Sequence, residues 1–311
     1  MDDITHSNNV TRTAYNFSSL CVGSDDCPGD RSDGTITVIP GTVVVIVAMV
    51  IELFVILTIT FIRKLREGRP QRQLSKFVQV LHCCSHISSL FVFLLGFYID
   101  GSNNYILCAA IAVILHYFVL MTFVWGVIEM VTSYLLYIIF HGLDFNGLRW
   151  KFLLIGSVLP VIPVIALLSF QLNSYNTIRD ICWIRPNYIY YFLFIPAGVA
   201  FTLSFIGFTI IFVITIRMPS MTAPARATRK RILKRITFLL VALIFNGLSW
   251  SFGYLVSSED SVLFYYLMSV STLLYGLVML KRSLDPKSRI IWRNMLKPPP
   301  QTTTWVYREI C

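Results

Sequence analysis

Charged residues divide the chain into long stretches that contain none. Uncharged intervals run over 77–99, 101–128, 152–178, 186–216, 236–258 and 261–280, and a seventh, 34–62, is interrupted only by Glu52. The period-2 alternation of a membrane barrel is missing from them. Crossing about 30 Å of hydrocarbon takes about 20 helical residues at 1.5 Å each, a length that every interval reaches. Lipid offers no partner to an unpaired backbone group, so helices are the expected form. The pattern predicts an all-α membrane protein with seven spanning helices, at about 36–62, 77–99, 104–140, 151–170, 188–216, 233–256 and 261–281. A tail of residues 1–35 precedes this 36–281 bundle. A second tail, 282–311, follows it and opens on a short amphipathic helix over about 282–296 that lies along the membrane interface.

Composition supports this division. Of 311 residues, 56% are apolar and 14% charged, against roughly 45–50% and about 25% in an ordinary globular domain. Disorder, collagen-like repeats, coiled coil and a conventional cytosolic enzyme are excluded. The net charge of +10 takes its meaning from where the charges sit. Of 26 Lys and Arg residues, 22 fall on one side of the predicted membrane and 4 on the other. By the positive-inside rule the basic side is cytoplasmic, which places the N-terminus outside and the C-terminus inside. The basic balance is therefore a topology signal with attraction to anionic inner-leaflet lipid, and nucleic-acid binding is not expected, since no single basic groove with interleaved aromatics is present.

Met1 is followed by Asp2 and Asp3, without the basic and apolar regions of a cleaved signal peptide. Asn9-Val10-Thr11 and Asn16-Phe17-Ser18 are glycosylation sequons on the side assigned as outside. Cys108, at the outer start of the third helix, and Cys182, in the next outer loop, both face an oxidising compartment. They are expected to pair, the alternative being two free thiols. Cys21 and Cys27 either pair within the tail or stay apart, and Cys83 and Cys84 read as packing residues of the second helix.

Polar groups inside the spans narrow the chemistry. An ionised side chain at mid-bilayer costs about 2.5–3.5 kcal/mol, so the two intramembrane acids, Glu52 and Glu129, are functional candidates. Glu129 falls near the cytoplasmic end of the third helix, one turn beyond Trp125, where a carboxylate can lock helix ends together or reach for the headgroups. Glu52 is central, and its partner is not legible. Gln79, His82, Ser85 and His86 share one face of the second helix. His82 and His86, with His116 on the third helix, fit either an interhelical hydrogen-bond network or the zinc site of an intramembrane hydrolase. A transporter would need internal repeats that are absent. No other catalytic constellation and no cofactor motif is read.

Several stretches then read together: Cys108 opening a helix that runs through His116-Tyr117-Phe118 to Trp125-Gly126-Val127-Ile128-Glu129, then Cys182-Trp183, then Gly247-Leu248-Ser249-Trp250-Ser251-Phe252-Gly253, with Phe93-Leu94-Leu95-Gly96 closing the second helix. Over about residues 36–296 the chain resembles the seven-helix domain of the adhesion branch of the secretin-like (family 2, class B) G-protein-coupled receptors, whose patterns are H-[FY]-F, W-x-x-x-E-G, C-W and G-L-T-W-x-F-G. The resemblance implies a plasma-membrane receptor that passes an extracellular signal to heterotrimeric G proteins by rearranging its helices. It implies that Cys108–Cys182 is the family's disulfide. Trp250 would be the switch tryptophan beside a ligand cavity, with Phe252 below the outer loops and Trp183 of the second outer loop belonging to the same group. Glu129 would be the acid of a cytoplasmic polar network with Trp125, faced by Gln79 where relatives often carry histidine. The G protein would meet Arg63, Lys64 and Arg66 and the basic run Arg229, Lys230, Arg231, Lys234 and Arg235, although the same charges serve equally as an anchor on anionic lipid. The activator would be an unidentified extracellular ligand or a tethered peptide near residues 13–20. The chain departs from the pattern at Met130, where glycine usually follows the acid. Thr272 and Tyr275 replace the usual Asn and Gln of the seventh helix. The autoproteolysis domain of adhesion receptors finds no counterpart in the first tail.

Overall fold

The computed structural model describes residues 32–61, 70–98, 105–139, 145–170, 175–178, 181–219, 222–258 and 262–284, with 290 and 292–293 beyond them. Two compact units divide the chain, residues 1–37 and 38–311. The first contributes only the opening turns of the first helix to the described residues, and the second holds the bundle. Asn9, Asn16, Cys21, Cys27, Arg63, Lys64, Arg66 and most of 282–296 lie outside the described residues.

Seven helices are long and apolar enough to cross a membrane, over 39–60, 73–98, 106–138, 147–169, 187–217, 223–256 and 262–283. They match the predicted spans in number and order, and at the basic end several run past the charge-free intervals: the second starts at 73, the third ends at 138, the fourth starts at 147, the sixth starts at 223 and the seventh ends at 283. The second helix begins at Pro70, whose fixed φ and missing N–H suit the first helical position. The sixth begins at Ala223, ten residues before its predicted start, so the basic run from Arg226 to Arg235 is an extension of the helix itself. Lys and Arg are good helix formers whose aliphatic stems lie along apolar neighbours while the charge reaches outward; they end a membrane interval without ending a helix. The fourth span is two helices, Phe145–Val158 and Val161–Phe170, parted at Pro160, which can donate no backbone hydrogen bond. The seventh, Val262–Ser283, carries Lys281 and Arg282 in its last turn.

The exterior is apolar and the interior holds the polar groups. Val50, Leu154, Ile162 and Leu263 are exposed, whereas Glu52, His82, His86, His116, Glu129 and Asn246 are buried. Such a surface is stable only against hydrocarbon. The chain is a multi-pass membrane protein. At one end of the bundle, strands β1 (Tyr175–Ile178) and β2 (Ile181–Ile184) form an antiparallel hairpin, with Tyr175 opposite Ile184. A disulfide joins Cys182 of β2 to Cys108 at the start of the third helix, with Cα atoms 5.1 Å apart. This hairpin end shares a core of Phe93, Leu115, Tyr175, Trp183, Trp250 and Met268. The opposite, basic end packs around Trp125 with Leu74, Val78 and Phe152.

Two glycines let helices approach where a larger neighbour fills the space. A Cβ on Gly207 would fall 2.7 Å from Met130 Cγ, so the methionine that replaces the family's usual glycine is accommodated by a glycine on the fifth helix. A Cβ on Gly156 would fall 2.6 Å from Trp125 Cζ2. Gly156→Ala is therefore expected to overpack this contact and cost about 1–3 kcal/mol. Thermal unfolding of the detergent-solubilised chain checks this, and pairing the change with Trp125→Leu should recover part of the loss.

Candidate functional site

At the basic end, Glu129 receives two partners from other helices. His82 Nδ1 lies 3.0 Å from its Oε2, and the Arg282 guanidinium pairs with its Oε1. All three side chains are about 95% buried, so the charges are matched inside the bundle rather than screened by water. The second, third and seventh helices meet on this carboxylate. Gln79, expected opposite Glu129, instead donates from Nε2 to Ser283 Oγ at 3.1 Å; His82, almost one turn further along the same helix, takes the position at the acid. Trp125 packs against Gly156 and the Leu74–Val78 face, supporting the helix that carries Glu129. Arg235 turns inward, bonding Ser75 Oγ and lying 5.9 Å over the Tyr137 ring, which ties the sixth helix to the second and third. Arg229 reaches the carbonyls of Ile216 and Met218 at the end of the fifth helix. Arg226, Lys230, Arg231 and Lys234 remain exposed.

One turn deeper, Glu52 finds the partner that the sequence left open. Its carboxylate oxygens lie 2.9 and 3.1 Å from His86 Nδ1, with both side chains fully buried. The Tyr275 ring stands 4.2 Å from the imidazole. The Thr272 hydroxyl meets Ser249 Oγ at 2.6 Å, so the polar link between the sixth and seventh helices survives the loss of the family's usual amides, carried by two hydroxyls.

His116 has a separate task. A helical Pro196 has no N–H to give the carbonyl four residues back, that of Phe192. His116 Nε2 lies 2.9 Å from that carbonyl, and the chain makes a π-helical turn there over Tyr190–Phe194. With Nε2 donating, Nδ1 is left as an acceptor, and it lies 2.9 Å from the Tyr175 hydroxyl of β1. Burial pushes the Tyr175 phenol up, away from ionisation, so the hydroxyl keeps the proton it gives. One imidazole thus binds the hairpin to the fifth helix. The zinc reading of His82, His86 and His116 fails on these partners: the three rings serve three different groups, and among the described residues no set of three His, Cys, Asp or Glu side chains is arranged to hold a metal.

Toward the hairpin end, a cavity of about 330 Å³ lies between the third, fifth and sixth helices, lined by Val119, Phe123, Phe201, Trp183 and Trp250 among others. The two tryptophans, 3% and 5% exposed, each meet Phe93 edge-to-face at 6.3 Å. Phe93 is thus a shared wedge between loop and sixth helix, a role that spacing alone did not reveal. Phe252 packs against the same core that holds Trp183 and Trp250, without lining the cavity itself.

The comparisons with known proteins agree with this arrangement. The family model described as 7 transmembrane receptor (Secretin family) matches residues 35–279. The chain is 31% identical over 199 residues to adhesion G protein-coupled receptor L4 of Rattus norvegicus, covering 63% of this chain and 26% of that protein. It is 26% identical over 225 residues to adhesion G-protein coupled receptor G4 of Mus musculus, covering 68% and 7%. A third relative, adhesion G-protein coupled receptor G2 of the same species, is 22% identical over 232 residues, covering 71% and 23%. The chain spans about a quarter of the length of these relatives or less. With a family match across nearly the whole bundle and adhesion receptors as its relatives, the chain belongs to the secretin family of seven-transmembrane receptors.

Proposed function

We propose that the chain acts at the plasma membrane as a G-protein-coupled receptor of the adhesion type, with its hairpin end outside and its basic end in the cytoplasm. The observation that carries this reading is the pairing of two features on the same helices: a cavity closed by Trp183 and Trp250 at one end, and the Glu129–His82–Arg282 knot at the other. A ligand or tethered peptide that packs on Trp250 in only one state of the bundle shifts the population by its differential affinity for that state. The knot holds the closed state at the cytoplasmic end, and its release lets the sixth helix, with its exposed Arg226, Lys230, Arg231 and Lys234, swing outward to a G protein. Arg63, Lys64 and Arg66, in the loop between the first and second spans, add basic charge for the same partner. Arg235 belongs with the knot rather than with the G-protein face, given its bond to Ser75. Glycans on Asn9 and Asn16 fit the same orientation.

Ligand-free G-protein activation in transfected cells tests the reading. Trp250→Ala, at surface expression matched to wild type, is expected to lower basal nucleotide exchange about tenfold, the change produced by about 1.4 kcal/mol of lost state preference. Trp250→Phe, which keeps an aromatic on Phe93, should retain most of it. Unchanged signalling in both variants removes Trp250 from the switch. Tags at the two chain ends that are both stained on unpermeabilised cells remove the orientation, and the receptor reading with it.

A further inference from the structure

A second cavity opens sideways, onto the face of the bundle that meets lipid. It is a groove of about 430 Å³ between the first and second helices. Ile46, Val50 and Leu53 form one wall and Phe91 and Leu95 the other. Val50 and Phe91 are 59% and 53% exposed, and at this depth their surroundings are hydrocarbon, so whatever fills the groove comes from the bilayer. All lining side chains are apolar except two, Thr42 and Tyr98, and both stand at the hairpin end.

Depth gives the occupant its dimensions. Thr42 lies in the N-terminal half of the first helix, Ser32–Phe61, and Tyr98 is the last residue of the second, Pro70–Tyr98. From Thr42 to Leu53 the helix rises about 16 Å, or roughly half the hydrocarbon thickness. The groove is one leaflet deep and polar at its interfacial end only.

The chemistry of that end selects among lipids. Thr42 Oγ1 lies 2.8 Å from the Tyr265 hydroxyl and 2.8 Å from the Tyr98 hydroxyl. The chain of hydroxyls runs outward from a buried tyrosine to an exposed one, since Tyr98 is 59% exposed. A phenol both donates and accepts, so the outer end of this chain can take a guest that does the same. Among the described residues no charged side chain lines the groove, so none of them answers a phosphate or an ammonium. A flexible acyl chain would lose many rotors on binding, whereas a rigid body loses few. A single hydroxyl on a rigid apolar body of one leaflet's length describes a sterol.

The polar end is also held in place. A Cβ on Gly41 would fall 2.5 Å from Tyr265 Cε1, so only glycine lets the seventh-helix tyrosine reach Thr42. Phe97 stacks on that ring, at 5.4 Å and 18°. First, second and seventh helices thus build the hydroxyl chain together.

We propose that the groove between the first and second helices binds a membrane sterol from the leaflet at the hairpin end, with its hydroxyl on Tyr98 and its rings along Ile46, Val50 and Phe91. This site is separate from the cavity beside Trp250 and stands whether or not the chain signals.

The test uses the full chain in phosphatidylcholine nanodiscs with a photoreactive sterol, followed by peptide mapping of the adducts. Adducts are expected within 46–53 and 87–98, and competed by cholesterol. Tyr98→Phe should weaken cholesterol competition about fivefold, one hydrogen bond of about 1 kcal/mol, and cholesterol methyl ether should compete poorly against wild type. Val50→Trp, a lipid-facing change that fills the groove without entering the core, should abolish the adducts while thermal stability is kept. Three results would each overturn the proposal: photoreactive phosphatidylcholine labelling the same peptides without competition from cholesterol, methyl ether competing as well as cholesterol with Tyr98→Phe unchanged, or undiminished adducts in Val50→Trp.

Discussion

Glu129→Ala is expected to destabilise the bundle by about 3–5 kcal/mol and to raise ligand-free signalling. The first effect follows from what is left behind. Arg282 is about 95% buried and loses the carboxylate that matches it; removing one partner of a buried ion pair costs this much because the other stays uncompensated. In a bundle of this size that corresponds to a fall in melting temperature on the order of 10 °C in detergent. Arg282→Met is the companion change, and Glu129→Leu with Arg282→Met should recover most of the stability, since an apolar pair of similar volume replaces a matched ionic one at little cost. The signalling effect is a separate measurement. If the knot favours the closed state, its loss raises basal nucleotide exchange at matched surface expression, by about tenfold for each 1.4 kcal/mol of closed-state preference removed. A less stable protein with wild-type basal activity leaves Glu129 a structural contact and takes the lock out of the mechanism. Recovery of stability in the double variant with signalling still raised is the outcome that separates the two roles.

How much of this was legible from the residues depends on the range of the physics involved. The spans were legible because hydrocarbon rejects ions, so every stretch long enough to cross announces itself by having none. Helix ends were less so. Lys76 and Arg235 marked the limits of the second and sixth intervals, yet neither residue type interrupts a helix, and both helices run on past them to Pro70 and Ala223. The partner of Glu52 was out of reach because His86 stands 34 positions away on another helix, and which faces meet is set by packing between helices rather than by anything local. Gln79 and His82 both offered themselves to Glu129 from the same face, and the family's pattern pointed to the wrong one. Arg282 had been counted among the charges of the basic side; only the fold shows that the last turn of the seventh helix aims it inward. The bond from His116 to Phe192 was within reach. Pro196 leaves one identifiable carbonyl without its helical donor, and a buried histidine on a neighbouring helix is a natural replacement.

Breaking the Cys108–Cys182 bridge is the second change expected to have a large effect, and its size can be argued from chain length. The two residues are 74 positions apart, and closing a loop of that size removes about 4.5 kcal/mol of conformational freedom from the unfolded chain in the loop-entropy account. The folded side adds to this. Cys182 lies in β2 next to Trp183, so the bridge holds the hairpin over the third helix and keeps Trp183 on Phe93; without it, the hydrogen bond from Tyr175 to His116 remains as an anchor for β1. Cys108→Ala and Cys182→Ala are each expected to reduce surface expression severely and to lower the melting temperature of whatever protein is recovered. The decisive measurement is the double variant. Two thiols joined in one bond lose their stabilisation together, so Cys108→Ala with Cys182→Ala should cost no more than either change alone, apart from a small packing term. Reduction of the wild-type protein should bring it to the same melting temperature. Single costs that add in the double variant, with no response to reductant, mean that the cysteines act as independent packing residues and that the hairpin is held by β1 alone.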